Sequence, residues 1–311
     1  MSDKTKKWLI AAGILILLGA IITAAATGLG AKEVSGSGVL DRFHINVNSP
    51  FEVAFASNRS STDTKHETVT FTKEQTDAIT GMEIKWNAGT IEVEPWDNDY
   101  IQAETEYDAS EKAPSFEIRE NRLCISSELG NPTISIGIRV NTTTIKKAIV
   151  YIPKDKRFDS LHAELNAGIM DIRDVVTEKG LEVELNAGQL KLRNITASGK
   201  TGIEVNAGDF HMKDAMVSGR TEIEVNAGKA DLEGTFAGDV EADVAAGLLE
   251  INNSVLRSET GVKIDVNAGA AEFNGHNIAG FGSDYTDQKA GAPNSFTADV
   301  MAGALRVKYA E

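Results

Sequence analysis

The sequence predicts an all-β fold: a parallel β-solenoid of two-strand circuits about twenty residues long, capped at its N-terminal end by an irregular β region and preceded by one transmembrane helix. Three observations carry this reading. Asn-Ala-Gly returns at a near-constant interval, in AELNAGIMDI, EVELNAGQLKL, GIEVNAGDFHM, EIEVNAGKADL, the variant EADVAAGLLEI, and KIDVNAGAAEF. Apolar residues alternate on both sides of each such corner, as Val183 and Leu185 then Leu190 and Leu192 do, and a period of two marks strands. From Trp8 to Ala31 there is no charged residue.

Residues 1–7 read as a cytoplasmic tail and 8–31 as the anchor. A helix of that length extends ~36 Å at ~1.5 Å per residue, enough to cross a ~30 Å hydrocarbon core. Lys4, Lys6 and Lys7 precede it, whereas Lys32 and Glu33 after it cancel. The positive-inside bias therefore puts the N-terminus in the cytoplasm and the rest of a single-pass cell-membrane protein outside. The small residues Ala24, Ala25 and Ala26 leave signal-peptide cleavage as the alternative to a retained anchor. Residues 32–38, with Ser35-Gly36-Ser37-Gly38, form a flexible linker.

Residues 39–160 carry irregular strand patterns, including an earlier corner at Gly89 and a hairpin turn at Glu120-Asn121, and are expected to cap the stack. Residues 161–311 hold the regular circuits. Their corner glycines, Gly168, Gly188, Gly208, Gly228, Gly247 and Gly269, are spaced by 20, 20, 20, 19 and 22 residues. A late copy follows at Gly303, after a Gly-rich polar loop over 279–296. Within a circuit, Ala197-Ser198-Gly199-Lys200 reads as the closing turn.

Equivalent residues of a solenoid stack at ~4.7–4.9 Å. Asn166, Asn186, Asn206, Asn226 and Asn267 are thus expected to form a structural amide ladder of the cross-β kind, interrupted at Ala245. One outward position is acidic in each circuit, at Glu164, Glu184, Glu204, Glu224, Asp243 and Asp265, with Asp299 in the last. These carboxylates are candidate Ca²⁺ ligands, although neighbours ~4.8 Å apart in water repel by only ~0.9 kcal/mol, so a solvated stripe explains them without metal. Arg173, Arg193 and Lys213 form a short basic stripe, the candidate contact for an anion.

The formal net charge is −15; the first 31 residues contribute +2, so the remainder carries −17, which argues against nucleic acid as a partner. A single cysteine, Cys124, excludes an internal disulfide and a thiolate metal centre. The five histidines show no metal-ligand spacing, and neither a nucleophile elbow nor a phosphate-cradling glycine motif occurs. No enzyme activity and no cofactor are therefore expected.

The segment AIVYIPKDKRFDSLHAELNAGIMDI together with the reiterated EVNAG resembles the "putative-adhesin" family of β-strand-repeat proteins of bacterial envelopes, some of which sit beside envelope-stress systems of Gram-positive bacteria. The resemblance spans the chain from about Val39 onward and implies a solenoid-like fold in an envelope setting, without any catalytic or binding residue. The expected function is a membrane-anchored extracellular interaction module that meets cell-wall polymer or another envelope protein. The alternatives are an accessory or sensor in envelope-stress signalling and, further off, a glycan-cleaving solenoid enzyme.

Overall fold

The computed structural model describes residues 63–109, 111–127, 146–279 and 281–311. The expected tail, transmembrane helix and linker, and the first part of the cap region, lie outside them. Among the described residues no helix is long and apolar enough to cross a membrane.

The chain from Ser160 onward winds as parallel circuits in register: Leu161, Leu181, Thr201 and Thr221 are successive Cα partners, as are Leu165, Leu185, Val205 and Val225. The inner circuits have three sides. In the Gly188 circuit the first is the end of Val176–Leu185, the second Gln189–Arg193 and the third the short strand Thr196–Ser198. That third strand pairs in parallel with Val176-Thr177 on one side and Met216–Ser218 on the other. The stretch expected to be the closing turn is therefore partly strand. The turning is done by residues that flank it in the left-handed region, Asn194 at φ 53° and Gly199 at φ 84°, where Asn and Gly are the residues that tolerate such a backbone.

Alternation aims one set of side chains inward, and these stack in columns. On the second side Ile91, Met170, Leu190, Phe210, Ala230 and Leu249 form one column and Val93, Ile172, Leu192, Met212, Leu232 and Ile251 the next; all are buried. The large Phe210 lies beside the small Ala230, which keeps the thin core filled.

The corner glycines are a steric requirement. A Cβ on Gly188 would lie 2.2 Å from the carbonyl oxygen of Gly168, and one on Gly208 would lie 2.5 Å from that of Gly188. Followed along the rod, these contacts run from Lys146 through Gly89, Gly168, Gly188, Gly208, Gly228 and Gly247 to Gly303 and then Gly269.

This order is not the order of the sequence at either end. The C-terminal strands Asn294–Val300 and Ala304–Ala310 lie between the Gly247 circuit and the Gly269 circuit, pairing in parallel with both. Likewise Gly81–Trp86 and Thr90–Trp96 lie between the Gly168 circuit and an outer pair, Arg122–Ser127 and Lys146–Pro153. The Gly89 copy thus supplies two in-register sides of a circuit inside the expected cap, before the chain leaves the stack as Gln102–Asp108.

Antiparallel strands finish both ends. Ser115–Arg119 pairs with Arg122–Ser127 through Glu120 and Asn121, at φ 49° and 59°, the two-residue turn whose twist suits a hairpin. Lys146–Pro153 is followed outward by Gln102–Asp108 and Thr64–Thr70. At the other end His276–Ala279 folds back on Ala270–Phe273, and Ser283–Asp287 pairs with Thr260–Val266. The stretch 279–296, expected as a loop, therefore contains an edge strand and carries the chain back into the stack. Its acidic residues Asp284 and Asp287 suit an edge that has to resist further pairing.

Candidate functional site

The first side presents the asparagine and carboxylate columns. Asn166 Nδ2 donates to Asn87 Oδ1 at 2.9 Å, Asn186 to Asn166 at 3.0 Å, Asn206 to Asn186 at 3.0 Å and Asn226 to Asn206 at 2.9 Å. The same amides donate to Glu164, Glu184, Glu204 and Glu224, each two residues earlier, at 2.8–3.0 Å. An Asn amide has two donor hydrogens, so each rung is saturated on that side. The ladder begins one circuit earlier than the regular repeat suggests, at Asn87, whose amide reaches the Ser127 carbonyl. Asn267 is not its next member: Ala245 and then Met301 occupy the two intervening corners, and Asn267 is exposed beyond them.

The acidic column continues past the ladder. Glu224 lies beside Asp243, Asp243 beside Asp299, Asp299 beside Asp265 and Asp265 beside Asp284. Asp243 and Asp265 are therefore separated by Asp299. Burial, then the neighbouring Asp299, Glu241 and Glu224, pushes the Asp243 carboxyl above its ordinary value, whereas Asp265 is paired with Lys263. Among the described residues no group of three or more His, Cys, Asp or Glu side chains is placed to hold a metal ion.

The basic stripe on the second side is internally neutralised. Arg173 meets Asp171 at 2.9 Å and Glu94 at 3.0 Å, and Arg193 Nε donates to Asp171 Oδ1 at 3.2 Å. Asp171 is itself buried. Burial alone pushes its carboxyl up; the two guanidinium groups outweigh that and hold it below the ordinary carboxylate range. Lys213 is exposed and has only its own charge to offer an anion. Asp171 is the residue that sequence reasoning missed, because its partners include a residue of the next circuit.

A shallow cleft of about 630 Å³ lies over the first side, where Gly180 and Gly202 leave a dent among Glu182, Glu184, Lys200 and Glu222. A Cβ on Gly202 would meet nothing within 4 Å. The polar side chains at its rim pair with one another: His162 meets Glu182 at 3.1 Å, Lys200 pairs with Glu222 at 2.6 Å, and Arg220 pairs with Glu222 and Glu241 at 2.8 and 2.6 Å.

Together these features define a class: a parallel β-solenoid whose repeated polar residues bond along the stack. The chain belongs to the Toastrack DUF4097 family, whose model matches residues 79–281. No curated protein matches the chain. Solved structures similar to it include a putative cell adhesion protein from Clostridium sporogenes (14% identity, 80% of this chain, 100% of that chain, TM-score 0.33). A putative adhesin from Bacteroides fragilis is 11% identical over 78% of this chain and 97% of its own, with a TM-score of 0.41. A putative lipid binding protein from Parabacteroides distasonis is 12% identical over 80% and 97%, with a TM-score of 0.30.

Proposed function

We propose that this protein is an interaction module of a bacterial envelope, held by residues 8–31 in the cell membrane with its N-terminus in the cytoplasm and its solenoid outside. The observation that supports this reading best is the use to which the repeated polar side chains are put. Asn166, Asn186, Asn206 and Asn226 bond one another and their glutamates, so they stiffen a rod and hold a flat charged face in fixed geometry. A surface so pre-organised loses little entropy on binding. The charge of −17 beyond residue 31 repels bare anionic lipid and anionic wall polymer alike unless divalent cations or a local basic patch bridge them, so the partners that fit are wall polymer met through such a bridge or another envelope protein.

Thermal melting of residues 63–311 with purified wall fragments tests the proposal. Saturable stabilisation is expected, because a ligand that binds only the folded rod raises its melting temperature. An unchanged melting curve, together with no retention of the rod on wall material at physiological salt, would remove the wall-polymer reading. Parallel samples with millimolar Ca²⁺ and with chelator separate binding of fragments from binding of metal.

A further inference from the structure

The C-terminal circuit lies between two circuits whose facing residues are in matching register. On the first side Phe296 separates Val240 from Val262, Ala298 separates Ala242 from Ile264, and Val300 separates Val244 from Val266. On the second, Leu305 separates Leu249 from Ala271 and Val307 separates Ile251 from Phe273. Each flanking pair is apolar and inward-facing, and Gly247 and Gly269 both carry the corner geometry. Because all circuits share one register, removing the middle layer leaves the outer two matched residue for residue. Outward, Glu241 and Lys263, now parted by Thr297, would meet as opposite charges, while Asp243 and Asp265, and Glu250 and Glu272, would meet as like charges, which is why the inserted layer is favoured. Only Arg257–Glu259 joins Leu256 to Thr260, and at ~3.3 Å per residue it reaches either the adjacent layer or the one beyond it at ~4.8 Å each.

The inserted arrangement is held by contacts that can be named. Phe296, Ala298, Val300, Leu305, Val307 and Tyr309 are each 2% exposed or less. Arg306 bridges Glu250 on one neighbour and Glu272, at 3.5 Å, on the other. Asn274 brackets Tyr309, accepting from its N–H at 2.8 Å and donating to its carbonyl at 3.2 Å. Against these stands the run Asp243, Asp299, Asp265, three carboxylates on adjacent strands.

We infer that residues 294–310 are a releasable clasp: the rod has a second arrangement in which the Gly269 circuit stacks directly on the Gly247 circuit and the C-terminal strand pair is freed with the core still closed. The inserted state is the ground state, and release frees two strands able to pair with another chain.

Cysteine pairs in the full-length chain, with Cys124→Ser as background, test this. A disulfide needs Cα atoms about 4.4–6.8 Å apart. The pair Glu241→Cys with Thr297→Cys reports the inserted state and should close rapidly. The pair Glu241→Cys with Lys263→Cys is two strands apart in that state and closes only after release. It should form slowly, and about tenfold faster when Arg306→Glu turns two exposed ion pairs into repulsions. The pair Glu182→Cys with Glu222→Cys, also two strands apart but across Gly202, measures general opening of the stack. No Glu241–Lys263 disulfide even with Arg306→Glu, or one that forms no faster than the Glu182–Glu222 disulfide, would overturn the inference.

Discussion

Replacing Asn206 by Ala removes an interior rung of the ladder, and the structure sets the size of the effect. Asn206 Nδ2 donates to Asn186 Oδ1 at 3.0 Å and to Glu204 at 2.8 Å, and its Oδ1 accepts from Asn226 at 2.9 Å. A neutral hydrogen bond contributes about 1 kcal/mol net and one to a charged group about 1.5–3 kcal/mol. Three such bonds at a half-buried site, partly replaced by water after the change, give a loss of about 2–3 kcal/mol. Asn226 is the last rung and accepts no amide from Ala245, so Asn226→Ala should cost less, about 1.5–2 kcal/mol. Urea unfolding of residues 63–311 followed by circular dichroism measures both. The midpoint should fall with an unchanged slope, since the surface exposed on unfolding is nearly the same. A loss under about 0.5 kcal/mol for Asn206→Ala, or an equal loss at both positions, would show that the amides are solvated bystanders.

Four further outcomes follow from the same geometry. Gly188→Ala should prevent the native fold or cost more than about 4 kcal/mol, because its Cβ would lie 2.2 Å from a backbone oxygen at φ +99°; a soluble variant with a wild-type melt would contradict this. Thr201 and Thr221 are fully buried neighbours whose hydroxyls have no hydrogen-bond partner. Changing both to Val should stabilise the rod by about 1–3 kcal/mol, read by urea titration, and a destabilised double variant would refute it. Burial pushes the Tyr309 hydroxyl up to about 12, against smaller lowering effects of Asn253 and Arg257. The stability this confers is complete below the ordinary tyrosine value near 10 and is lost as pH rises from there through about 12. Unfolding between pH 9 and 12 should therefore show a steeper decline in the wild type than in Tyr309→Phe, and parallel curves would refute the assignment. Combining Ala245→Asn with Asp243→Glu should extend the ladder by one rung and raise stability by about 1 kcal/mol; no gain would mean that the circuit after Asn226 is displaced from its partner.

The solenoid was legible because the same letters return at the same corner. Asn-Ala-Gly names both the polar rung and the place where a Cβ has no room, and alternation around it identifies inward and outward positions. The order of circuits at the ends was hidden for the same reason. Since Gly247, Gly269 and Gly303 carry equivalent corners, the sequence alone makes any of them a fitting neighbour for another, and chain order favours the sequential stack. The long interval between Gly269 and Gly303 held the relevant signal, because the chain has to return past the outer circuit before it can enter the slot. The third side escaped notice because Thr196–Ser198 is only three residues long and lies between turn-forming residues. The basic stripe looked free because Asp171 is two residues from Arg173 in the strand, while its bond to Arg193 crosses to the next circuit.

Amide contacts in a nuclear Overhauser spectrum of deuterated residues 63–311 test the order of the corners along the rod most directly. With the C-terminal circuit inserted, cross-strand contacts are expected from Thr297 to both Glu241 and Lys263, and from Gly303 to both Gly247 and Gly269. Dominant contacts between Glu241 and Lys263, with Thr297 contacting only one of them, would contradict it.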